Sequence, residues 1–292
     1  MRSLFAGSIL ALFFISIFSS CQKEADGSLP NNPQTIDSSF IDKIIALDTT
    51  LPVGTDTTEK LFLTYDNLKR LSRSTQLYGP GLPGSSVTDF LYSGNDSLPY
   101  KSISREVYTG VWDYTDTAYF TYSNGFIAKD STITHDNTNS VIGARVVQYS
   151  VSGTAVNKGL RYYDFNGGAF VLQNSSNSTL TVVITGGNLM TQTLLTGQNT
   201  FESVQATYDN KPNPLAKAFK IRYPEADTPD WLSWWLQKNN PSQVQFKEMG
   251  GTPDSETYVY TYRTDGYPVK FTYSRASGGL LSNKALFYYK AL

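Results

Sequence analysis

The chain has 292 residues, with 24 Lys and Arg against 25 Asp and Glu and a formal net charge of −1. That balance, with no long basic run, leaves no electrostatic footprint for nucleic acid. A single Cys and a single His exclude a disulfide framework within the chain and leave a Cys/His zinc site without ligands, so no metal or cofactor is expected.

Met1-Arg2 opens a short basic segment, and Leu4 to Phe18 is an apolar run too short to span a bilayer comfortably. Phe18-Ser19-Ser20-Cys21 follows. Small residues just before a Cys at the end of an apolar run resemble a bacterial lipobox, with Phe18 where that motif usually carries Leu, Val or Ile. The resemblance implies a signal peptide over residues 1–20, lipid on the Cys21 thiol, and a mature chain held to a membrane by its first residue. Several acyl chains at ~0.8 kcal/mol per buried CH₂ make such an anchor stable. An ordinary secretory signal with an incidental Cys is the alternative. Gln22-Lys23-Glu24-Ala25-Asp26 resembles the export signal of surface lipoproteins in Bacteroidetes-type Gram-negative bacteria. It implies an outer-membrane lipoprotein exposed at the cell surface. A solvated tether on a periplasm-facing protein is the other reading.

Residues 21–58 read as a tether. Pro, Asn, Ser, Gly and charge run to about Gln34. Phe40 to Leu47 is a short apolar stretch that suits a first strand or a helical turn, and Asp48 to Thr58 is polar again. From residue 59 to 292 the chain reads as a β-hairpin-repeat domain. With 20 Tyr and 16 Phe, its composition suits a pleated, half-buried surface. Leu61 to Tyr78 turns near Asp66-Asn67, and Gly79 to Gly84 is a breaker cluster. Asp89 to Tyr108 loops at Ser93 to Asp96, Tyr119 to Thr134 turns at Ser123-Asn124-Gly125, and Arg145 to Tyr163 turns near Ser152-Gly153. Phe170-Val171-Leu172 and Leu180 to Ile184 flank an Asn/Ser-rich stretch read as a loop. Gly186-Gly187-Asn188 precedes a strand through Leu195, and Ala285 to Tyr289 is a last strand.

The clearest hairpin is Thr257 to Arg275, two alternating runs around Asp265-Gly266. One register sets Tyr262 opposite Val269, Tyr260 opposite Phe271 and Tyr258 opposite Tyr273, each worth ~0.2–1 kcal/mol over Ala–Ala. A bulged three-residue loop sets Lys270 opposite Tyr260 instead. Pro268 cannot donate to the ladder and belongs near the turn, on an edge or at a bulge.

Three motifs then carry a resemblance: Tyr208-Asp209-Asn210-Lys211-Pro212-Asn213-Pro214, Asn239-Asn240-Pro241, and Tyr260 to Lys270 with its Asp-Gly-Tyr-Pro core. Together they resemble an uncharacterised family of Bacteroidetes-type lipoproteins with Asp-Gly-x-x-Pro (Tyr-Asp-like) hairpin repeats. That family implies a porin-like, curved up-and-down β fold and no established activity. The motifs cover the C-terminal third.

Asp227 to about Asn239 reads as a helix, capped by Asp227 or Thr228, with Pro229 in its first turn and ended by Asn239-Asn240-Pro241. Trp231, Leu232, Trp234, Trp235 and Leu236 make it apolar nearly all round, which favours a core plug over an exposed platform for sugar rings. It should lie inside or across the mouth of the sheet. Trp112 and Tyr114, in Val111-Trp112-Asp113-Tyr114-Thr115-Asp116, are the candidate ligand-contacting residues. His135-Asp136 is half a triad at most, since no Gly-x-Ser-x-Gly is present. No catalytic residue is assigned.

Many short strands with evenly spaced turns imply an all-β fold. The expectation is a curved antiparallel up-and-down meander or incomplete barrel with one short Trp-rich helix packed against it. No strand shows the makings of a continuous outward apolar band, so a water-soluble domain is expected. The expected function is a non-catalytic, lipid-anchored cell-envelope protein acting as a binding or scaffold module, with the membrane and a glycan or protein as partners. A surface glycan-binding lipoprotein is the alternative. A glycan or peptide hydrolase ranks third.

Overall fold

The computed structural model describes residues 40–53, 56–79, 84–108, 112–196, 199–224, 237–247, 251–277 and 284–292. The chain reverses where its turn residues predict. At Asn124-Gly125 both central residues take left-handed backbone, with φ of 52° and 80°, as the tightest hairpin turn requires.

The strands are β1 (Phe40–Leu47), β2 (Thr57–Tyr65), β3 (Leu71–Tyr78), β4 (Gly84–Leu91) and β5 (Lys101–Tyr108). A taller run follows: β6 (Trp112–Ser123), β7 (Phe126–Asp136), β8 (Val141–Ser152), β9 (Ala155–Asn166) and β10 (Ala169–Thr185). The rest are β11 (Asn188–Thr196), β12 (Asn199–Pro212), β13 (Asn239–Lys247), β14 (Asp254–Tyr262), β15 (Pro268–Arg275) and β16 (Lys284–Lys290). Each pairs antiparallel with the next, and β1 pairs with β16 from Phe40↔Lys290 to Leu47↔Lys284. The sheet is therefore a closed 16-strand barrel, which corrects the expected open meander or incomplete barrel.

The missing piece was β1. A bulge between Ile41 and Lys43 lets both Ile41 and Ile44 join the inner core although they stand three residues apart. That spacing mimics a helical period and disguises a strand. The barrel thus begins at Phe40, inside the span read as tether. Ile44 faces Leu61 of β2 and Phe287 of β16, so the closing seam is an apolar row.

Two other elements differ from expectation. The Asn/Ser-rich stretch read as a loop is continuous β10, held by Asn174↔Tyr162 through Ser178↔Lys158 of β9. The hairpin β14–β15 has Tyr258↔Tyr273 and Tyr260↔Phe271 as expected. A bulge after Thr261 then puts Tyr262 opposite Pro268, not Val269. Residues 225–236, which carry most of the Trp-rich segment, lie outside the described residues, as does Cys21.

Both termini of the barrel, the start of β1 and the end of β16, lie at one end, called proximal here. Inside, that end is filled. Between β12 and β13 the chain turns inward as α1 (Pro214–Ala218), capped by the Asn213 side chain, with Leu215 fully buried. The segment after it packs along the inner wall. Phe219 meets Phe90, Tyr223 meets Tyr149, and Ile127 N–H donates to the Arg222 carbonyl at 2.8 Å. The main core is a contiguous apolar cluster inside the barrel, and α1 is part of it; Ile45, Leu47 and Leu286 form a second, small buried cluster on the opposite face of the β1–β16 seam.

The outer wall is different. Thr64, Arg73, Asp89, Ile103 and Thr117 form one outward row, with Arg73 and Asp89 paired at 2.6 Å. Lys101 and Arg105 of β5, Lys129 of β7, Gln205 of β12, Gln243 of β13 and Lys270 of β15 also hold outward positions, interspersed with exposed Leu77, Val107, Tyr119 and Val259. No continuous apolar band encircles the described wall.

Candidate functional site at the open end of the barrel

Registers across β4 to β10 place the inner residues in rows. The row Val147↔Leu160 belongs to the core, and Asp130 shares it opposite Val147. One step toward the distal end lies Phe90, Ser102, Ala118, Thr132, Arg145, Tyr162 and Asn174. The next carries Thr88, Ser104, Asp116, Thr134, Gly143 and Asp164. Farthest out are Ser86, Glu106, Tyr114 and Asp136. The inner face thus changes from apolar to hydroxyl and carboxylate along one wall, and it is wet at the distal end. Tyr162 is 44% exposed and the Arg145 side chain also 44%, although both face inward.

Hydrogen bonds order these rows. Asp130, almost fully buried, accepts from Thr132 Oγ1 at 2.9 Å, Tyr223 Oη at 3.0 Å and Arg145 Nη2 at 3.1 Å. It ties the inserted chain to the wall at the floor of the polar region, where its charge is compensated by a cation and two hydroxyls. Above it, Thr134 Oγ1 donates to Asp116 Oδ1 at 2.6 Å, Thr88 and Ser104 hydroxyls meet at 3.0 Å, and Tyr114 Oη donates to Glu106 Oε2 at 2.8 Å. The facing wall repeats the chemistry. Tyr258 Oη donates to Glu256 Oε2 at 2.5 Å and Gln76 Nε2 to Glu59 Oε1 at 2.9 Å. Burial, with Glu256 and Glu59 nearby, pushes Tyr273 up to about 12.

Of the candidate ligand-contacting residues, Tyr114 lies on this inner face, half-buried. Trp112 opens β6 opposite Tyr108, and its side chain is outside the described residues. His135 takes an outward position on β7. Asp136 accepts from the N–H groups of Thr138 and Ser140 and from the Thr138 hydroxyl. Those bonds hold its carboxyl below the usual range, and its work is to shape the turn into β8. The two do not form a catalytic pair. Among the described residues no cluster of three His, Cys, Asp or Glu is placed to hold a metal ion.

The three motifs of the lipoprotein resemblance meet at the proximal end. Asp209 from the first accepts from Tyr262 Oη of the third and from the Asn240 backbone N–H of the second at 3.3 Å. Asn240 is completely buried, and its amide also reaches the Lys211 and Pro212 carbonyls at 3.4 and 3.3 Å. The Gly266 turn packs near Lys211 and Pro212. These residues lock the strand ends where the chain enters and leaves the interior. Their role is architectural, and they stand apart from the polar rows.

Sequence reasoning missed Asp116, Asp130, Thr134, Arg145 and Tyr162. The alternation along β6 and β7 was visible, but Thr115, Thr117 and Tyr119 on one face resemble Asp116, Ala118 and Phe120 on the other too closely to say which is inside. Tyr223, with its bond to Asp130, follows from the inserted chain alone.

The chain matches no protein-family model and no curated protein. Two porin-like proteins are among the solved structures similar to it. A porin-like protein from Bacteroides vulgatus has 14% identity and a TM-score of 0.48, over 87% of this chain and 100% of that one. A porin-like protein from Bacteroides uniformis has 12% identity and a TM-score of 0.46, over 86% and 96%.

Proposed function

We propose that this protein is a non-catalytic, lipid-anchored outer-membrane protein, displayed at the cell surface, whose barrel stands in water and binds a ligand at its distal end. The observation that carries the reading is the polarity of the two faces. An apolar, chain-filled interior inside an outer wall where charged and polar residues interrupt the apolar ones differs from a membrane-spanning barrel, where a continuous apolar band faces lipid. The described chain enters the barrel at the filled proximal end, at the start of β1, and the polar distal rows lie at the opposite end. A filled proximal end favours a cup over a channel.

The acids Asp116, Glu106, Asp130 and Asp136 of the β5–β7 wall are engaged by Thr134, Tyr114, Arg145 and the turn into β8 respectively, which supports binding over hydrolysis. A glycan is the ligand class best matched. Tyr162 offers an exposed ring beside the row carrying Asp116, Thr134 and Asp164, and aromatic faces next to carboxylates and hydroxyls suit sugar rings and their hydroxyl groups. Calorimetry of the mature chain against a panel of neutral and acidic oligosaccharides tests this. Binding is expected, weakened at least tenfold by Tyr162→Ala and by Asp164→Ala. Turnover of any panel member that is lost on one acid substitution overturns the non-catalytic reading, and unchanged affinity in both variants moves the site elsewhere.

A further inference from the structure

The barrel wall drops in height between β10 and β11. β11 pairs with β10 only over Thr179 to Thr185. Residues Ala169 to Ser178 pair with β9 on one side and with no described strand on the other. Every residue from Ala169 to Asn177 is exposed, on both faces. Half of the backbone N–H and C=O groups in this stretch therefore point from an open edge into water.

Open edges are normally guarded by Lys, by Pro, by inward charges or by a covering element. β10 has no charged residue and no Pro in its 17 residues. Within the open stretch its pairing has one irregularity, a bulge at Gln173 between Leu172↔Tyr163 and Asn174↔Tyr162. Phe170, Val171 and Leu172 are 44, 46 and 51% exposed, and Phe170 stacks edge-on against Phe165 of β9.

We infer that two copies of the chain pair antiparallel, β10 to β10, across a two-fold axis between Gln173 and Asn174. A second strand satisfies every group of such an edge, and three features select a second copy. The bulge sits in the middle of the open stretch and shifts the inner/outer alternation by one. A two-fold between Gln173 and Asn174 sets Leu172 opposite Ser175, Val171 opposite Ser176 and Phe170 opposite Asn177, each pair on one face of the sheet. Without the bulge these pairings would oppose inward to outward positions. The pairing spans the open stretch from Ala169 to Ser178 and stops where β11 begins. Because the edge is uncharged, a symmetric pair brings no like charges together, and it leaves neither edge free to add further chains.

The test uses the chain from residue 22, which keeps every barrel strand and lacks the one native Cys. Sedimentation should show a dimer. Leu172→Cys and Ser175→Cys are made as separate single variants at exposed positions. Under mild oxidation neither alone should form a covalent dimer, whereas an equal mixture should, because residue 172 meets residue 175 of the partner and not itself. A monomeric wild type overturns the proposal. So does cross-linking of either single variant as efficient as that of the mixture.

Discussion

Ile44→Asp unfolds the barrel, whereas Val259→Asp leaves it intact. Ile44 is 2% exposed on the inner face of the closing seam, between Leu61 and Phe287. A carboxylate there finds no cation in the apolar row. The lost burial and the uncompensated charge together cost more than ~4 kcal/mol, a large share of a typical domain's stability of about 5–15 kcal/mol. Val259 is 63% exposed on the outer wall opposite Thr272, and a charge at such a position shifts stability by about 0.5 kcal/mol or less. Urea unfolding of the two variants checks the order. A barrel with lipid outside and water inside gives the reverse, since Val259 would then face hydrocarbon.

Raising the pH above 10 collapses the fold over a narrow range. Tyr65, Tyr208, Tyr258 and Tyr289 each donate a hydrogen bond from a buried hydroxyl, to Ile41 O, Leu189 O, Glu256 Oε2 and Pro268 O respectively. The Tyr260 hydroxyl is buried with no partner among the described residues. Burial pushes all five above the ordinary tyrosine range, with Glu256 adding to the rise at Tyr258. A folded-state pKa above the unfolded value gives stability that is complete below about pH 10 and is lost as pH rises toward the folded value. Each group then loses about 1.4 kcal/mol per pH unit, and the five together up to about 7 kcal/mol. Unfolding is expected near pH 11–12 for a domain of ordinary stability. Circular dichroism and tyrosinate absorbance recorded together should change in one step. Smooth titration of most tyrosines near pH 10 with the sheet retained would show that these hydroxyls reach water.

The hairpins were legible because their turns carry local chemistry. Asn124-Gly125, Gly153 and Asp265-Gly266 each stand at a reversal, and the Tyr258 to Tyr273 face was readable from strict alternation. Closure was not legible. It depends on β1 and β16, which are far apart in sequence, and the bulge in β1 breaks the alternation that marks a strand. The Asn174 to Ser178 run was misread for a similar reason. Its residues have low strand propensity, and only pairing with β9 makes them extended. The candidate site was half legible. Tyr114 was picked for its aromatic ring among carboxylates, but Asp130, Arg145 and Tyr162 gain meaning only from the row that stacks them on one inner face. The lipoprotein motifs led to a buried junction at the proximal end, where Asp209, Asn240 and Tyr262 hold the strand ends.

On the proposed reading, the barrel has its apolar face inside and stands in water on a lipid anchor. The most direct measurement compares full-length wild type with Cys21→Ala after cell fractionation, and then purifies the chain from residue 22 without detergent. Wild type should sediment with membranes, Cys21→Ala should be released, and the purified chain should stay folded and soluble with a β-sheet spectrum. A Cys21→Ala chain that remains membrane-bound until detergent is added, or a purified chain that folds only in micelles, would mean that the wall itself meets lipid.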